Sequence, residues 1–269
     1  MAGQRLDAAV AALGLARSRT HAATLIAAGA VSVDGRPIVK PSHRVEVDTR
    51  IEVAATDHYV SRAAHKLLAA LDVFGVDPAD RVALDAGAST GGFSQVLLER
   101  GARLVLAVDV GHDQLAAELR GWPGLVVVEG CNVRHLDAAE LAKLTGVDER
   151  PTLVTADLSF ISLTTVLPAL VDTAADRADF VLLVKPQFEV GRGGVREGVV
   201  HDPAARADAV TGVLWAAFDL GLGVMGVASS PIAGTHGNQE YLVHLAAGRG
   251  SDPSEWTVRV DQLTGGGPA

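Results

Sequence analysis

From residue 62 onwards, short apolar runs alternate with segments in which apolar side chains recur at helical spacing. Two runs, Leu104–Val108 and Phe180–Val184, are continuously apolar, as is typical of strands buried on both faces of a parallel sheet. The predicted strands are 82–86, 103–110, 125–129, 152–157, 179–185, 223–229 and 240–245, and the predicted helices are 62–74, 92–100, 112–120, 162–174 and 203–220. This alternation predicts an α/β fold with a mostly parallel, doubly wound sheet.

The first 57 residues, here called the head, follow a different pattern. Two short helices are predicted at 5–13 and 18–28, with Ser18 and Gly29 as the N-cap and C-cap of the second. Asp34-Gly35 between β-branched residues predicts a hairpin. We therefore divide the chain into a small α+β domain at 1–57, a linker at 58–61, a large α/β domain at 62–247 and a weakly ordered tail at 248–269.

Charge is distributed unevenly between these parts. The net charge is −9, which by itself argues against a nucleic-acid partner. Residues 1–44, however, hold six basic and two acidic residues, whereas the other 225 residues hold 17 basic and 30 acidic ones. Because a phosphate backbone responds to local potential, the basic head is predicted to bind nucleic acid in spite of the acidic total.

Several classes of protein are excluded by composition and motif. No apolar stretch reaches the roughly 20 residues of a membrane span, and the N-terminus lacks the regions of a signal peptide. The single cysteine, Cys131, fits a reducing cytoplasm. Nine histidines form no metal-binding motif, and no G-x-S-x-G hydrolase elbow follows a strand, so neither a metal site nor a serine hydrolase is predicted.

A glycine-rich segment, Asp85-Ala86-Gly87-Ala88-Ser89-Thr90-Gly91-Gly92-Phe93, leaves the first predicted strand and opens a helix. Ligands of open α/β sheets bind beyond the strand ends, and Asp109 stands 22 residues after Gly87, where a ribose-binding carboxylate is expected. These features fit S-adenosylmethionine, although the glycines alone would also suit a plain tight turn. The predicted cofactor residues are Asp85, Gly87, Ala88, Ser89, Gly91, Phe93, Asp109, Asn132 and Asp157.

Four charged residues are placed where a doubly wound sheet brings them together. Asp157 and Lys185 end predicted strands, Lys66 lies in the helix before the first strand, and Glu240 opens the last one. If that last strand is antiparallel, all four face one crevice at the same edge of the sheet. We call Lys66, Asp157, Lys185 and Glu240 the charged tetrad.

The segments Asp85–Phe93, Ala156–Phe160 and Lys185–Glu189 resemble the TlyA family of ribosomal RNA 2′-O-methyltransferases, part of the wider FtsJ-like group and long called haemolysins. The resemblance extends over nearly the whole chain. It implies a Rossmann-like methyltransferase fold with strand order 3-2-1-4-5-7-6 and an antiparallel strand seven. It also implies S-adenosylmethionine as cofactor, a catalytic Lys-Asp-Lys-Glu tetrad that maps onto the charged tetrad, and cytidine targets in ribosomal RNA.

The chemistry of that reaction gives each tetrad residue an expected role. A ribose 2′-hydroxyl is a poor nucleophile until its proton is removed, and Lys185 is the candidate general base, because burial and the charge of Lys66 disfavour its protonated form. Lys66 is also a candidate to stabilise the developing alkoxide. Asp157 and Glu240 would orient the lysines and the hydroxyl.

The head resembles the alpha-L RNA-binding motif of a small-subunit ribosomal protein and of some pseudouridine synthases. Recognition by charge and shape is expected, since no aromatic residue precedes Tyr59. The candidate RNA-binding residues are Arg5, Arg17, Ser18, Arg19, Lys40 and Arg44. The expected partner is ribosomal RNA or a ribosomal subunit, with no membrane contact and a monomeric chain. The basic loop at 191–196 is predicted either to cover the RNA or to be only a connection.

Two other hypotheses about function remain open. A catalytically silent RNA-binding factor for ribosome assembly would keep the fold, although the presence of all four tetrad residues argues against it. A membrane-lytic toxin is suggested only by the family's older name.

Overall fold

The computed structural model describes residues 3–16, 18–27, 29–46, 49–53, 58–191, 197–234 and 237–265. Its contacts divide the chain into two units, residues 1–58 and 59–269. Within the described residues, no helix is both long and apolar enough to cross a membrane.

The head is an α+β unit built around a small core. Its elements are β1 (Gln4–Arg5), α1 (Leu6–Ala12), α2 (Arg19–Ala27), β2 (Val31–Val33), β3 (Arg36–Pro37), β4 (Arg44–Val45) and β5 (Ile51–Val53). The Ser18 hydroxyl accepts the amide N–H of His21, and Gly29 takes the left-handed φ of +75° after α2, so both predicted caps are confirmed. The hairpin is confirmed too, with Asp34 and Gly35 at φ +49° and +78° between β2 and β3.

The second unit contains a seven-stranded sheet with helices on both faces. Its strands are β6 (Val82–Ala86), β7 (Leu104–Val108), β8 (Leu125–Val128), β9 (Leu153–Ala156), β10 (Asp179–Val184), β11 (Leu222–Ser229) and β12 (Tyr241–Ala247). Its helices are α3 (Ala64–Phe74), α4 (Gly92–Glu99), α5 (Ala138–Thr145), α6 (Leu163–Thr173), α7 (Pro186–Glu189), α8 (Pro203–Phe218) and α9 (Thr257–Thr264).

The strand order across the sheet is β8-β7-β6-β9-β10-β12-β11. Numbered along the chain within this sheet, the order is 3-2-1-4-5-7-6, as the family resemblance implied. The last strand of the chain, β12, is antiparallel to both neighbours, whereas the others pair in parallel from β8 to β10. The start of β12 therefore lies at the same edge as the ends of β6, β9 and β10.

One helix predicted in this unit is wrong, and one helix was not predicted. The helix predicted at 112–120 is a loop with a single 3₁₀ turn at Ala117–Leu119, because Asp113 adopts a left-handed φ of +56° that interrupts a helix. A helix that was not predicted, α5, lies between an Asp137 side chain that accepts the amide of Glu140 and a left-handed Gly146.

The tail predicted to be weakly ordered at 248–269 is instead folded as far as residue 265. Ser251 forms a two-way backbone bridge with Val224 of β11, and the Arg259 side chain donates to the carbonyl of Val227. Val260 is buried, which anchors α9. The segment thus covers the open edge of the sheet, and the glycine-rich composition after residue 264 had hidden its helical pattern.

An ion cluster centred on Asp179 lies at the start of β10, at the end of the sheet away from the ends of β6, β9 and β10. It connects β10 with β12 and with the residue before β6. One carboxylate oxygen lies 2.9 Å from Nε2 of His244 and 2.7 Å from Nη2 of Arg249, and the other lies 2.9 Å from Nη2 of Arg81. Burial alone would raise the pKa of Asp179, but the hydrogen bond from His244 and the two arginines outweigh it and lower the pKa to about 2.

Asp179→Asn is expected to lower the free energy of unfolding by about 2 kcal/mol at neutral pH, because the folded-state pKa lies below the ordinary 3.8. That stabilisation is complete above pH 5 or thereabouts and is lost as the pH falls from about 4 towards about 2. Urea unfolding of both proteins across this range is the measurement. A difference between them that stays constant down to pH 2 would contradict the electrostatic origin.

Candidate active site

The glycine turn (residues 87–91) connects β6 to α4 beside the end of β9. Gly87 has φ +83°, and a Cβ there would lie 2.9 Å from Cδ2 of Leu158 and 3.1 Å from the carbonyl oxygen of Asp157. The Gly87 amide donates to the carbonyl of Val108 at 2.8 Å. Glycine at this position thus lets the turn pack directly against the backbone that carries Asp157.

Two cavities open beyond the strand ends. The larger has a volume of about 500 Å³, the smaller about 150 Å³, and they share Gly87, Ser89, Asp157 and Ser159 in their walls. The predicted cofactor residues that line the larger cavity are Gly87, Ser89, Asp109, Asn132 and Asp157. Ala88 and Phe93 line the smaller one, together with Lys185. Most of the predicted cofactor set therefore lines two adjoining cavities.

Asp109 is held rigidly at the wall of the larger cavity. One carboxylate oxygen accepts the amide N–H of Ser89 at 2.8 Å, and the other accepts that of Gly111 at 2.7 Å. Each oxygen keeps a second lone pair that can accept a hydroxyl. The carboxylate is thus suited to a vicinal diol such as that of a ribose.

Asp85 and Gly91 do not line either cavity. The Asp85 side chain is 0% exposed; one oxygen accepts the Ser94 hydroxyl at 2.6 Å and the other lies 3.4 Å from the Thr155 hydroxyl. Burial raises the pKa of Asp85 to about 7, against the lowering effect of Ser94. The carboxyl of Asp85 thus accepts a hydrogen bond from Ser94 of α4 and lines neither cavity, and its predicted contact with the cofactor stays a prediction. Gly91, at φ +93°, makes room for Leu115 and Leu119.

The charged tetrad is assembled as a line of alternating charges. Glu240 Oε2 lies 2.6 Å from Lys66 Nζ, and Lys66 Nζ lies 3.7 Å from Asp157 Oδ2. Asp157 Oδ1 in turn lies 2.6 Å from Lys185 Nζ. Four residues from α3 and three strand ends thus meet in one crevice, and each buried charge has a partner of opposite sign.

The two lysines differ in their access to the cavities. Lys185 lines the smaller cavity, whereas Lys66 and Glu240, 6% and 2% exposed, line neither. Of the two lysines, Lys185 is therefore the one that borders a cavity. The contact of Lys66 with a developing alkoxide, expected from the sequence, is not supported by this placement, since Asp157 and Glu240 already engage its ammonium.

Three residues that sequence reasoning did not single out complete the site. Ser159 accepts a hydrogen bond from Lys185 Nζ at 2.9 Å. Phe160, 92% exposed at φ +65°, lies 5.4 Å from Phe188 between ring centroids, and the Phe188 ring is 6.0 Å from Lys185 Nζ. Their signal was their position beside Asp157 and Lys185 in the motifs Asp157–Phe160 and Lys185–Glu189.

Gly234 contributes by lacking a side chain. A Cβ at this position would collide with Oε1 of Glu240, and the Gly234 amide donates to the carbonyl of Asn238 at 2.8 Å. A side chain at this position would therefore displace the Glu240 carboxylate.

In the head, the structure separates the candidate RNA-binding residues into two groups. Arg5 and Arg19 both engage the buried Asp7, with N–O distances of 2.8 and 3.3 Å, and hydrogen bonding by Arg5 leads in lowering the pKa of Asp7 to about 2. Lys40 and Arg44 are exposed, and Arg44 donates to the carbonyl of Gly3. Ser18 caps α2. Arg17 and residues 192–196 of the predicted basic loop lie outside the described residues.

The sheet order and the glycine turn beside two cavities are those of the Rossmann-like methyltransferase class. Residues 59–247 match the family described as FtsJ-like methyltransferase, and residues 4–51 match the S4 domain. The chain belongs to the FtsJ-like methyltransferase family and carries an S4 domain at its N-terminus.

Relatives that match most of the chain are named either as rRNA methyltransferases or as hemolysins. The 16S/23S rRNA (cytidine-2′-O)-methyltransferase TlyA of Mycobacterium tuberculosis is 52% identical over 244 residues, covering 90% of this chain and 89% of that protein. Hemolysin A of Brachyspira hyodysenteriae is 38% identical over 242 residues, covering 90% and 99%. A solved structure of a Streptococcus thermophilus protein, named as a hemolysin, superposes with a TM-score of 0.75 at 35% identity and covers 99% of this chain and 97% of its own.

Proposed function

We propose that this protein transfers a methyl group from S-adenosylmethionine to the 2′-hydroxyl of a cytidine in ribosomal RNA. The observation that carries the proposal is the position of Lys185, whose amine borders the smaller cavity next to the carboxylate of Asp157. The tuberculosis relative named above acts, by its name, on cytidines of 16S and 23S rRNA. The expected partner is therefore ribosomal RNA or a ribosomal subunit, and the expected place of action is the cytoplasm.

The larger cavity fits S-adenosylmethionine on three counts. Asp109 would bind the ribose diol through its two fixed oxygens. Asn132 and Cys131 would border the adenine, and Asp157, which is common to both cavities, would face the cationic end. When bound, the cofactor supplies a methyl group already activated by its sulfonium. The protein's own task is then to deprotonate and aim a hydroxyl.

The residues of the smaller cavity carry out that task. Lys185 in its neutral form accepts the proton of the 2′-hydroxyl at Nζ and becomes an ammonium. Asp157, 2.6 Å away, stabilises that new positive charge. Lys66 and Glu240 fix the Asp157 carboxylate from behind, so that it does not turn away from Lys185. Orientation by this line of charges supplies a large part of the rate.

The S4 domain would supply binding rather than chemistry. Exposed basic side chains, Lys40 and Arg44 among them, would contact phosphates and position the RNA without reading its sequence. Arg5 and Arg19 remain candidates because their side chains stay 40% and 59% exposed although both pair with Asp7.

Phe160→Ala is expected to raise KM for RNA about 5- to 100-fold and to leave S-adenosylmethionine binding within a few-fold of wild type. A bulky residue held at positive φ and almost fully exposed is costly. Although Phe160 borders the larger cavity, its ring is 92% exposed and offers most of its surface to an unstacked base rather than to the cofactor. Steady-state kinetics with a ribosomal RNA substrate would measure the effect. Phe160→Trp is the control that keeps the platform, and a KM unchanged in the alanine variant would refute the stacking role.

Methylation of ribosomal subunits with a tritiated cofactor tests the proposed function. Transfer to ribose makes the neighbouring phosphodiester resistant to alkali, so the label should appear in alkali-stable dinucleotides with cytidine at the 5′ side. Label in the mononucleotides that alkali releases would instead place the methyl group on a base. No label on either subunit would favour a binding-only protein.

A further inference from the structure

The Lys185 amine has two close oxygen neighbours of different character. Asp157 Oδ1 is the nearer, at 2.6 Å, and pairs with the amine by charge without forming a hydrogen bond to it. Ser159 Oγ, at 2.9 Å, accepts a hydrogen bond from the amine. Among the described residues, Ser159 is thus the side chain that gives the Lys185 amine a defined direction.

Direction matters for a lysine that acts as a base. A neutral amine carries two N–H bonds and one lone pair, and the lone pair has to point at the hydroxyl whose proton it takes. Rotation about the Cε–Nζ bond moves the lone pair around a cone. An acceptor that fixes one N–H restricts the lone pair to two positions on that cone.

The loop that carries Ser159 is itself anchored at both ends. The Asp157 amide donates to the carbonyl of Ala86 at 3.3 Å, and at the other end Glu189 accepts the Ser162 hydroxyl at 2.5 Å and the Leu163 amide at 2.8 Å. Phe160, at a positive φ of +65°, directly follows Ser159. The loop backbone is therefore anchored on either side of Ser159, which lines both cavities.

We propose that Ser159 is a positioning residue that orients the Lys185 amine towards the 2′-hydroxyl, a role that rests on the proposed function. Asp157 supplies the opposite charge and Ser159 supplies the direction. The hydroxyl acts through Lys185 and takes no part in the bonds that form and break.

Three variants test the proposal with RNA methylation and cofactor titration. Ser159→Ala is expected to lower kcat about 10- to 100-fold, as expected for a misaligned reacting group, with KM for RNA and the dissociation constant of S-adenosylmethionine within about threefold. Ser159→Thr keeps the hydroxyl and is expected to retain kcat within about fivefold. Thr165→Ala removes an exposed hydroxyl from α6 that lines neither cavity, and its kcat should equal that of wild type.

A second measurement does not depend on turnover. With ¹³C-labelled lysine, the two Hε protons of Lys185 should give separate NMR signals while the amine is fixed, and they should move together in Ser159→Ala but not in Thr165→Ala. If the wild type transfers no methyl group, the proposed function fails while this signal still tests the role of Ser159. An unchanged kcat in Ser159→Ala, an equal loss in both alanine variants, or a loss confined to cofactor affinity would overturn the proposal.

Discussion

Lys185→Met is expected to lower kcat for methyl transfer by about 10²- to 10⁴-fold while leaving S-adenosylmethionine bound. The methionine keeps most of the apolar stem but removes the amine that accepts the proton. Asp157 retains a partner, because Lys66 Nζ lies 3.7 Å from its other oxygen. The fold should therefore survive, and single-turnover kinetics at saturating cofactor would isolate the chemical step.

Lys143→Met is the matched control for that substitution. Lys143 lies on the exposed face of α5 and pairs with Glu140 at 3.0 Å, on a helix that contributes to neither cavity. Its variant should have the wild-type rate. A Lys185→Met protein that binds cofactor and still methylates within tenfold of wild type would rule out Lys185 as the base.

Lys66→Met is expected to lower the free energy of unfolding by about 3–5 kcal/mol, because it leaves Glu240 buried without its 2.6 Å partner. The double variant Lys66→Met with Glu240→Leu removes both charges and should recover most of that loss. Neither variant should transfer methyl groups at the wild-type rate, since Asp157 would no longer be held from behind. Urea unfolding and the transfer assay, applied to the same preparations, give the two readouts.

The comparison between these two variants separates stability from catalysis. If the double variant recovers both stability and activity, then the Lys66–Glu240 pair is only structural and the line of charges has no role in the reaction. If it remains as unstable as the single variant, then the ion pair itself, rather than an uncompensated charge, holds the helix α3 against β12.

The sequence predicted the sheet and the meeting of the charged tetrad because both follow from strand direction. Asp157 and Lys185 end parallel strands, and parallel strands end at the same edge. Glu240 joins them only because β12 runs antiparallel, which came from the family resemblance rather than from its hydrophobic pattern. The glycine turn was recognisable because the chain needs positive φ at Gly87 and Gly91.

The rest depended on side-chain directions that a sequence does not reveal. Asp85 stood in the right motif, yet its carboxylate accepts the hydroxyl of Ser94, a buried residue in the first turn of α4. Arg5 and Arg19 were identified by charge alone, and their shared partner Asp7 is visible only once the helices are packed. Ser159 matters through its hydroxyl oxygen, and Gly234 matters because it has no Cβ.

The folded segment after β12 has a practical consequence for dissecting this protein. The family match ends at residue 247, so a fragment cut there would omit Ser251 and Arg259 and leave the backbone groups of β11 without cover. Bare strands of this kind recruit strands from other molecules. Such a fragment should self-associate on concentration even though it keeps the charged tetrad. A low yield of the fragment would then reflect the exposed edge of β11 rather than damage to the candidate active site.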